Sequence, residues 1–282
     1  TRGAILMHHG RDRQKRVWVL AGTGEGPPLV SALLQRGWQV QVSVVTPQAA
    51  QAYTGLCLDQ LHVGALAGPT GISELLDRCG GFRWVVDATH PFATQISDQL
   101  QQVCSDRGQP LLRLLRAAQT GGEVVVLSQL ADLAAQRLSR HRILLAIGGR
   151  RLATAVAAAR AADAEVFARV LPSIEGLRAA LAVGLPADQL AVLRPLQGEA
   201  SGSIERALIR RWQITDVLCR QSGGVTEHLW RSIAMEHGLR LWLLKRPAEP
   251  LGVETVVGVQ ALLQRLDHAG ATDCDPCADD GG

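Results

Sequence analysis

The residues of this 282-residue chain that could do chemistry cluster in the stretch VVDATHPFATQIS, residues 85–97. Two valines lead into Asp87, and Thr89, His90 and Pro91 follow before a helix-like pattern begins. A buried strand rarely carries an acid, a hydroxyl and an imidazole together, and histidine can exchange a proton near neutral pH. Ligands of open parallel sheets bind at the carboxyl ends of the strands. The stretch therefore predicts a ligand site, provided that the chain forms such a sheet.

A second candidate lies in VWVLAGTGEGPPLVSALLQRG, residues 17–37, where a strand-like segment runs into a helix that two prolines open. Gly22, Thr23, Gly24 and Glu25 form the turn, and small residues let backbone amides approach an anion at the amino end of a helix. The spacing is GxGxG, with the third glycine of the dinucleotide fingerprint displaced by Pro27. We expect a nucleotide cofactor here; a tight turn without a ligand is the alternative.

The end of the second strand-like segment bears on the choice of cofactor. Ser43 and Thr46 lie there, and no Asp or Glu is present to hold a ribose 2′-hydroxyl as NAD-binding domains commonly do. Hydroxyls or backbone amides could instead receive a 2′-phosphate. The sequence therefore favours NADPH over NADH.

Two clusters in the second half of the chain also suit anions. The stretch QSGGVTEHL, residues 221–229, follows a strand-like segment and opens a helix, so Ser222, Gly223 and Gly224 predict a second anion-binding loop. Lys245 and Arg246 close the last strong strand-like segment. A solvated strand end is the alternative for this basic pair.

Short apolar segments alternate with amphipathic helical stretches, which predicts α/β units built on mainly parallel sheets. The predicted strands are residues 17–21, 39–44, 84–87, 110–114, 123–127, 143–147, 165–170, 190–193, 216–219 and 239–244. Predicted helices include residues 29–36, 94–107, 128–139, 204–212 and 226–237. The small-residue stretch AAQTGG at 117–122 marks a boundary between two Rossmann-like domains, residues 16–118 and 119–266. Residues 1–15 are interpreted as an extension and residues 267–282 as a flexible tail.

The composition argues against several classes of function. Net charge is +3 and the chain has one Tyr and three Phe, so neither a basic footprint nor base-stacking residues predict a nucleic-acid partner. No apolar run reaches the roughly 20 residues that span a bilayer. Four of the six cysteines lie among apolar neighbours and indicate a reduced cytoplasmic protein. Cys274 and Cys277 form a lone CxxC, too few ligands for a structural zinc site, so no metal is predicted.

Taken in order, AGTGEG, DATHPFA, IGGRRL, FARVLP, QSGGVTEH and KRP resemble the motifs of the precorrin-6A reductases of corrin biosynthesis, a family that includes cobalt-precorrin-6A reductases. The resemblance runs from about Arg16 to Leu266. It implies two α/β domains with NADPH and a tetrapyrrole in a cleft between them, and reduction of one double bond of the macrocycle. The chain departs from the family pattern at Gly24, where Thr is more common, at Thr46, near which the family often carries an Arg, and at Arg220, which often is Lys.

The resemblance also implies roles for individual residues. Asp87, Thr89 and His90 are the candidate catalytic residues, and Thr89, His90 and Pro91 lie near the nicotinamide. Asp87 caps the next helix or orients His90, which either protonates the reduced system or shapes the pocket. The carboxylates of a tetrapyrrole need cations, and arginine pairs with them through two parallel hydrogen bonds. Cationic candidates near predicted strand ends are Arg113, Arg116, Arg150, Arg151, Arg169, Arg220, Lys245 and Arg246.

Other functions fit parts of the same pattern. An S-adenosylmethionine-dependent methyltransferase could use the GxGxG turn, and a nucleotide sensor without catalysis is a third class. A short-chain dehydrogenase is disfavoured, because the single Tyr53 lacks a Lys four positions later. We therefore predict an NADPH-dependent oxidoreductase acting on a tetrapyrrole. Neighbouring corrin-pathway enzymes are candidate partners, and the oligomeric state is expected to be a monomer or weak homodimer.

Overall fold

The computed structural model describes residues 15–120, 123–196 and 198–268. The predicted amino-terminal extension up to residue 14 and the tail from residue 269, with Cys274 and Cys277, lie outside the described residues. The described chain divides into two compact units. The first combines the residues up to Ala117 with those from Pro247 onward, and the second runs from Ala118 to Arg246.

Strands and helices alternate along the described chain, as the sequence predicts. Up to the boundary the order is β1 (Arg16–Ala21), α1 (Gly26–Gln35), β2 (Gln39–Val44), α2 (Pro47–Ala50), β3 (Gln60–Val63), α3 (Gly68–Cys79), β4 (Trp84–Ala88), α4 (Thr94–Asp106) and β5 (Leu111–Leu115). After it follow β6 (Val124–Leu127), β7 (Arg142–Leu145), α5 (Gly149–Ala161), β8 (Glu165–Val170), α6 (Ile174–Ala182), β9 (Leu190–Val192), α7 (Ser203–Trp212), β10 (Asp216–Arg220), α8 (Val225–His237), β11 (Arg240–Leu244), β12 (Glu254–Val257) and α9 (Val259–His268). Short 3-10 helices lie at Gln51–Tyr53, Leu130–Ala135, Ala187–Gln189 and Gly198–Ala200.

The first unit contains a parallel six-stranded sheet in the order β12-β5-β4-β1-β2-β3. The chain moves outward from β1 to β3 and then crosses back to β4, which pairs with β1 through Leu20↔Asp87 and Ala21↔Ala88. The strand order therefore reverses between β1 and β4. Such a reversal opens a crevice at the carboxyl ends of the strands, where dinucleotides bind in Rossmann folds. The turns after β1 and β4, which carry the two leading motifs, flank this position.

The second unit repeats the arrangement with the order β6-β11-β10-β7-β8-β9, also parallel. Its reversal lies between β7 and β10, which pair as far as Leu145↔Leu218. Arg150 lies at the start of α5, just after β7, and Arg220 is the last residue of β10. The prediction of two Rossmann-like sheets is thus confirmed.

In the first sheet, the apolar strands are explained by helices on both faces. In β1, Val17 and Val19 pack in one core cluster with α1 and α9, whereas Trp18 and Leu20 pack in another with α3 and α4. All four side chains are buried. A strand covered on both faces needs no polar alternation, because neither side meets water.

The end of the second domain was predicted wrongly. Residues 247–266 were expected to continue the second domain, but β12 pairs in parallel with β5 of the first sheet. Leu262, Leu263 and Leu266 of α9 are buried in the core of the first unit. The chain therefore returns to the first unit to complete its sheet and cover one face. Residues 128–139, a predicted α-helix, instead contain the 3-10 helix Leu130–Ala135.

Candidate cofactor and substrate site

The turn between β1 and α1 leaves space beside its backbone. A Cβ atom added at Gly24 would meet no heavy atom within 4 Å. One added at Gly22 would approach only the backbone of Thr89 and His90, at 3.9 Å. The glycine turn therefore lies against the end of β4 and is open at Gly24, so that a ligand could approach the backbone closely there.

Gly26 serves a different purpose from the first two glycines. A Cβ atom there would collide with the hydroxyl of Tyr53 and lie 3.0 Å from the Cβ of Ala21. Tyr53 is buried, and burial raises the pKa of its phenol to about 12. Gly26 is therefore a packing glycine that lets α1 approach the strand, as the third glycine of the dinucleotide fingerprint does.

The amino end of α1 is suited to an anion. Glu25 is at the N-cap position but makes no side-chain hydrogen bond to the helix. Its carboxylate lies 2.6 Å from Nη2 of Arg116, which was predicted to contact substrate. The helix dipole and the open position at Gly24 fit the pyrophosphate of a dinucleotide. Thr23 Oγ1 ties the turn to β4 through the carbonyl oxygen of Ala88, at 3.4 Å.

Asp87 anchors a buried charge network at the end of β4. Its Oδ2 lies 2.6 Å from Nη1 of Arg113, and both side chains are only 2% exposed. The two residues are register partners on β4 and β5, so their side chains project from the same face of the sheet. Asp87 Oδ1 accepts hydrogen bonds from the Thr89 amide at 3.0 Å and the Thr89 hydroxyl at 2.7 Å. Burial and the negative charge of Asp87 raise the pKa of the nearby Cys104 thiol to about 12.

These contacts correct two of the predicted roles. Asp87 does not cap the following helix: α4 has Ala93 at its N-cap position and no side-chain cap. Arg113 does not project to a ligand, because Nη1 also donates to Thr89 Oγ1 at 3.0 Å and Nε donates to Glu249 Oε2 at 2.8 Å. The guanidinium instead stabilises the turn that carries Thr89. Glu249, in the segment that re-enters the first unit, completes the network.

His90 is held in a defined orientation. Its Nδ1 accepts a hydrogen bond from the Phe92 amide at 3.2 Å, and the two rings lie 5.8 Å apart between centroids. Because Nδ1 is the acceptor, the neutral ring carries its proton on Nε2. His90 is thus prepared to act as a hydrogen-bond donor without first gaining a charge. Pro91 follows directly in the turn.

The end of β2 places the two predicted hydroxyls in different surroundings. Ser43 is buried, and its Oγ accepts a hydrogen bond from the indole Nε1 of Trp18 at 2.9 Å. Its side chain therefore belongs to the core, and its contact with a cofactor stays a prediction. Thr46 is exposed at the N-cap of α2, where its Oγ1 accepts from the Ala49 amide at 3.1 Å. Its hydroxyl can still donate to an anion, because the N-cap bond uses only a lone pair.

In the second unit, three predicted arginines share one region of the carboxyl edge. The pKa of Arg220 is lowered by burial and then by the positive charges of Arg151 and Arg150. Arg150 and Arg151 are exposed at the start of α5, and Arg220 is half-buried at the end of β10. The three like charges are close enough to influence one another, so this edge is a candidate site for an anion.

The predicted anion loop at residues 222–224 is partly filled by the protein itself. The Gly223 amide donates to Glu227 Oε2 at 2.7 Å, and Glu227 is completely buried. Its Oε1 accepts from Arg231 Nε at 2.9 Å. Ser222 is buried, and the carbonyl oxygens of Gly223 and Gly224 accept hydrogen bonds from Nε2 of the Gln119 side chain. The loop therefore binds an anion, but the anion at Gly223 is a carboxylate of α8.

The remaining predicted cations have different environments. Arg169 is buried and lies 3.4 Å from Glu205 of α7, and burial lowers the pKa of its guanidinium against the opposing effect of Glu205. Its Nε and Glu205 Oε2 are buried without a hydrogen-bond partner among the described residues. Lys245 is exposed, and the Arg246 amide donates to Gln221 Oε1 at 3.3 Å.

Sequence reasoning missed the acidic partners of these cations. Glu249, Glu227 and Glu205 lie in a proline-containing connection and in the first turns of α8 and α7, where acids normally are solvated. No local pattern predicted the burial of Glu205 and Glu227 or the half-buried position of Glu249. The only available signal was the excess of arginine, which in a buried setting requires carboxylates.

The described fold defines a class of protein: two Rossmann-like units of parallel strands, the first with an open glycine turn at the point where its strand order reverses. The chain belongs to the precorrin-6x reductase CbiJ/CobK family, whose sequence model matches residues 16–267. The prediction of this family is confirmed. None of the helices in the described ranges is long and apolar enough to cross a membrane.

Relatives of known name cover nearly the whole chain. A cobalt-precorrin-6A reductase of Synechocystis sp. is 32% identical over 245 residues, which are 84% of this chain and 90% of the relative. A precorrin-6A reductase of Rhodobacter capsulatus is 31% identical over 263 residues, 91% of this chain and 98% of the relative. The solved structure of a CobK precorrin-6A reductase superposes with a TM-score of 0.71 at 27% identity, covering 91% of this chain and 98% of that one.

Proposed function

We propose that this protein uses NADPH to reduce one macrocycle double bond of precorrin-6A or cobalt-precorrin-6A in cobalamin biosynthesis. The observation that carries the proposal is the open glycine turn beside the Thr89–His90 backbone, at the reversal of strand order, in a chain of this family. Family membership favours the reductase over the methyltransferase and the nucleotide sensor.

The cofactor would lie across the first unit. Gly22, Thr23 and Gly24 would hold the pyrophosphate at the amino end of α1, and the turn from Thr89 to Pro91 would contact the nicotinamide. After β2 the chain offers Thr46 and no carboxylate. A carboxylate would repel a 2′-phosphate, so its absence supports NADPH rather than NADH.

The tetrapyrrole would be recognised through its carboxylates. Arg150, Arg151 and Arg220 form the cationic cluster of the second unit and are the strongest candidates to hold them. Arg169, Lys245 and Arg246 are further candidates at the same carboxyl edge. Arg113 and Arg116 are less suitable than predicted, because Asp87, Glu249 and Glu25 already bind them.

The bound cofactor supplies the hydride, and the residues of this chain position and polarise the reactants. The ion pair of Asp87 and Arg113 fixes the turn that carries Thr89 and His90. His90 would donate its Nε2 hydrogen to the substrate beside the hydride acceptor. Such a donor polarises an imine nitrogen of the substrate through a hydrogen bond.

Steady-state reduction of precorrin-6A and of its cobalt complex, each with NADPH and with NADH, tests the proposal. We expect kcat/KM to be at least about tenfold higher with NADPH, the size of one charge-assisted contact to the 2′-phosphate. Equal efficiency with both cofactors would contradict the cofactor assignment, and absence of turnover with every combination would contradict the reductase.

A further inference from the structure

The buried charges at the end of β4 do not balance. One guanidinium, Arg113, lies between two carboxylates, Asp87 at 2.6 Å and Glu249 at 2.8 Å. Both Asp87 and Arg113 are 2% exposed and Glu249 is 20% exposed, so water screens them poorly. By contrast, the neighbouring pair of Arg116 and Glu25 is balanced. The network of Asp87, Arg113 and Glu249 therefore carries one negative charge in excess.

Glu249 is the residue that creates this excess. It lies in the connection between β11 and β12, where the chain has just returned to the first unit. Asp87 and Arg113 would form a neutral pair without it, and the Arg113 side chain would still hold Thr89 through Nη1. Satisfying Arg113 Nε requires only an acceptor atom, which a neutral amide could provide. The charge of Glu249 is thus more than the hydrogen bonding demands.

The excess charge lies at the position where a dinucleotide would react. Asp87 pairs in register with Leu20, two residues before Gly22, and Thr89 adjoins the glycine turn. In Rossmann folds the reactive ring of the dinucleotide lies beside this reversal of strand order. Donation of a hydride leaves the nicotinamide ring with a positive charge. A fixed negative charge nearby stabilises that product and the charge that develops towards it.

We propose that Glu249 is a positioning residue for hydride transfer: acting through Arg113, it leaves the Asp87 network negative and so favours the oxidised, cationic form of the cofactor. The inference rests on the proposed function. In this proposal the charge of Glu249 matters. In the alternative, Glu249 only holds residues 247–253 in place through its hydrogen bond to Arg113. A purely structural role would affect the affinities for NADPH and NADP⁺ equally, whereas a negative charge favours NADP⁺.

The test compares dissociation constants for NADPH and NADP⁺, measured by fluorescence titration and competition, in the full chain and in Glu249→Gln. The amide keeps an acceptor for Arg113 Nε and removes only the charge. We expect NADP⁺ affinity to fall relative to NADPH affinity on the order of tenfold, the effect of a unit charge across a partly buried site. The kcat of Glu249→Gln should also fall, because the charge that develops during hydride transfer loses the same stabilisation.

Two further variants control the comparison. Glu249→Asp retains the charge and should keep the wild-type ratio of the two dissociation constants. Asp59→Asn removes the same charge from an exposed ion pair with Arg16 beside the start of β1, at the opposite edge of the sheet, and should also leave the ratio unchanged. A ratio unchanged in Glu249→Gln, or an equal loss of both affinities, would overturn the inference while leaving the reductase intact. Failure of the wild-type chain to bind either form would overturn the inference and the cofactor assignment together.

Discussion

At the scale of single residues, His90 illustrates what the structure adds to a motif. The sequence leaves open whether the imidazole donates a proton or shapes the pocket. The Phe92 amide bonded to Nδ1 selects the neutral tautomer with a proton on Nε2. This geometry favours a hydrogen-bond donor that stays neutral throughout the reaction. His90 would then orient and polarise the substrate as a hydrogen-bond donor.

We therefore predict that His90→Asn lowers kcat by less than about tenfold and leaves the pH profile of kcat unchanged. Asn can accept the Phe92 amide hydrogen bond with its side-chain oxygen and so preserve the turn. The affinity for NADPH should change little. A loss of about 10²–10⁴-fold together with a missing limb of the pH profile would identify His90 as a general acid instead.

The sequence predicted the role of a residue well where neighbouring residues in the chain determine it, and poorly where contacts with another strand determine it. The family resemblance places Thr89 and His90 near the nicotinamide, and the strand order brings them beside the glycine turn. Arg113 was predicted to bind substrate, whereas its partner is Asp87. The sequence could not indicate this partner, because the register of β5 against β4 places Arg113 opposite Asp87. The burial of Ser43 was likewise not expected, since it depends on a hydrogen bond to Trp18 of a neighbouring strand. Neither register can be read from one segment.

At the scale of elements, the sequence predicted all eight inner strands of the two sheets and the edge strands β6 and β9. The two that were missed, β3 and β12, are short edge strands with the sequences QLHV and ETVV and partly exposed side chains. Such strands lack a continuous apolar run because only part of their surface is covered. The spacing of Leu130 and Leu133 fits a 3-10 helix as well as an α-helix, which accounts for the helix predicted at 128–139.

The returning segment offers a sharp test of element packing. Leu262 of α9 has no exposed surface, whereas Leu251 before β12 is 90% exposed. We predict that Leu262→Ala lowers the free energy of unfolding by about 2–5 kcal/mol, through lost burial and the cavity left behind. Leu251→Ala, the matched control, should change it by less than about 0.5 kcal/mol. Urea denaturation measures both. Equal effects would mean that α9 does not complete the first core.

At the scale of the whole molecule, the two units share a topology but differ at the point where each strand order reverses. In the first, the glycine turn is open at Gly24. In the second, the loop after β10, the strand in the place of β4, already has a carboxylate, Glu227, on the Gly223 amide, and Arg220 at the end of β10 lies within the electrostatic reach of Arg150 and Arg151. The sequence predicted both sheets, but it could not predict that residues 247–268 rejoin the first, because re-entry is a property of long-range pairing. The account therefore assigns the dinucleotide to the first unit and carboxylate recognition to the second.

Calorimetric titration of NADPH into the wild-type chain and into Gly24→Asp tests this assignment most directly. The substituted side chain meets no protein atom near its Cβ, so the fold should persist while its charge and bulk exclude the pyrophosphate. Ser105→Asp adds the same charge to an exposed position near the end of α4 and serves as the control. The account predicts one NADPH per chain in the wild type and in Ser105→Asp, and no binding in Gly24→Asp. Wild-type affinity in Gly24→Asp would contradict it.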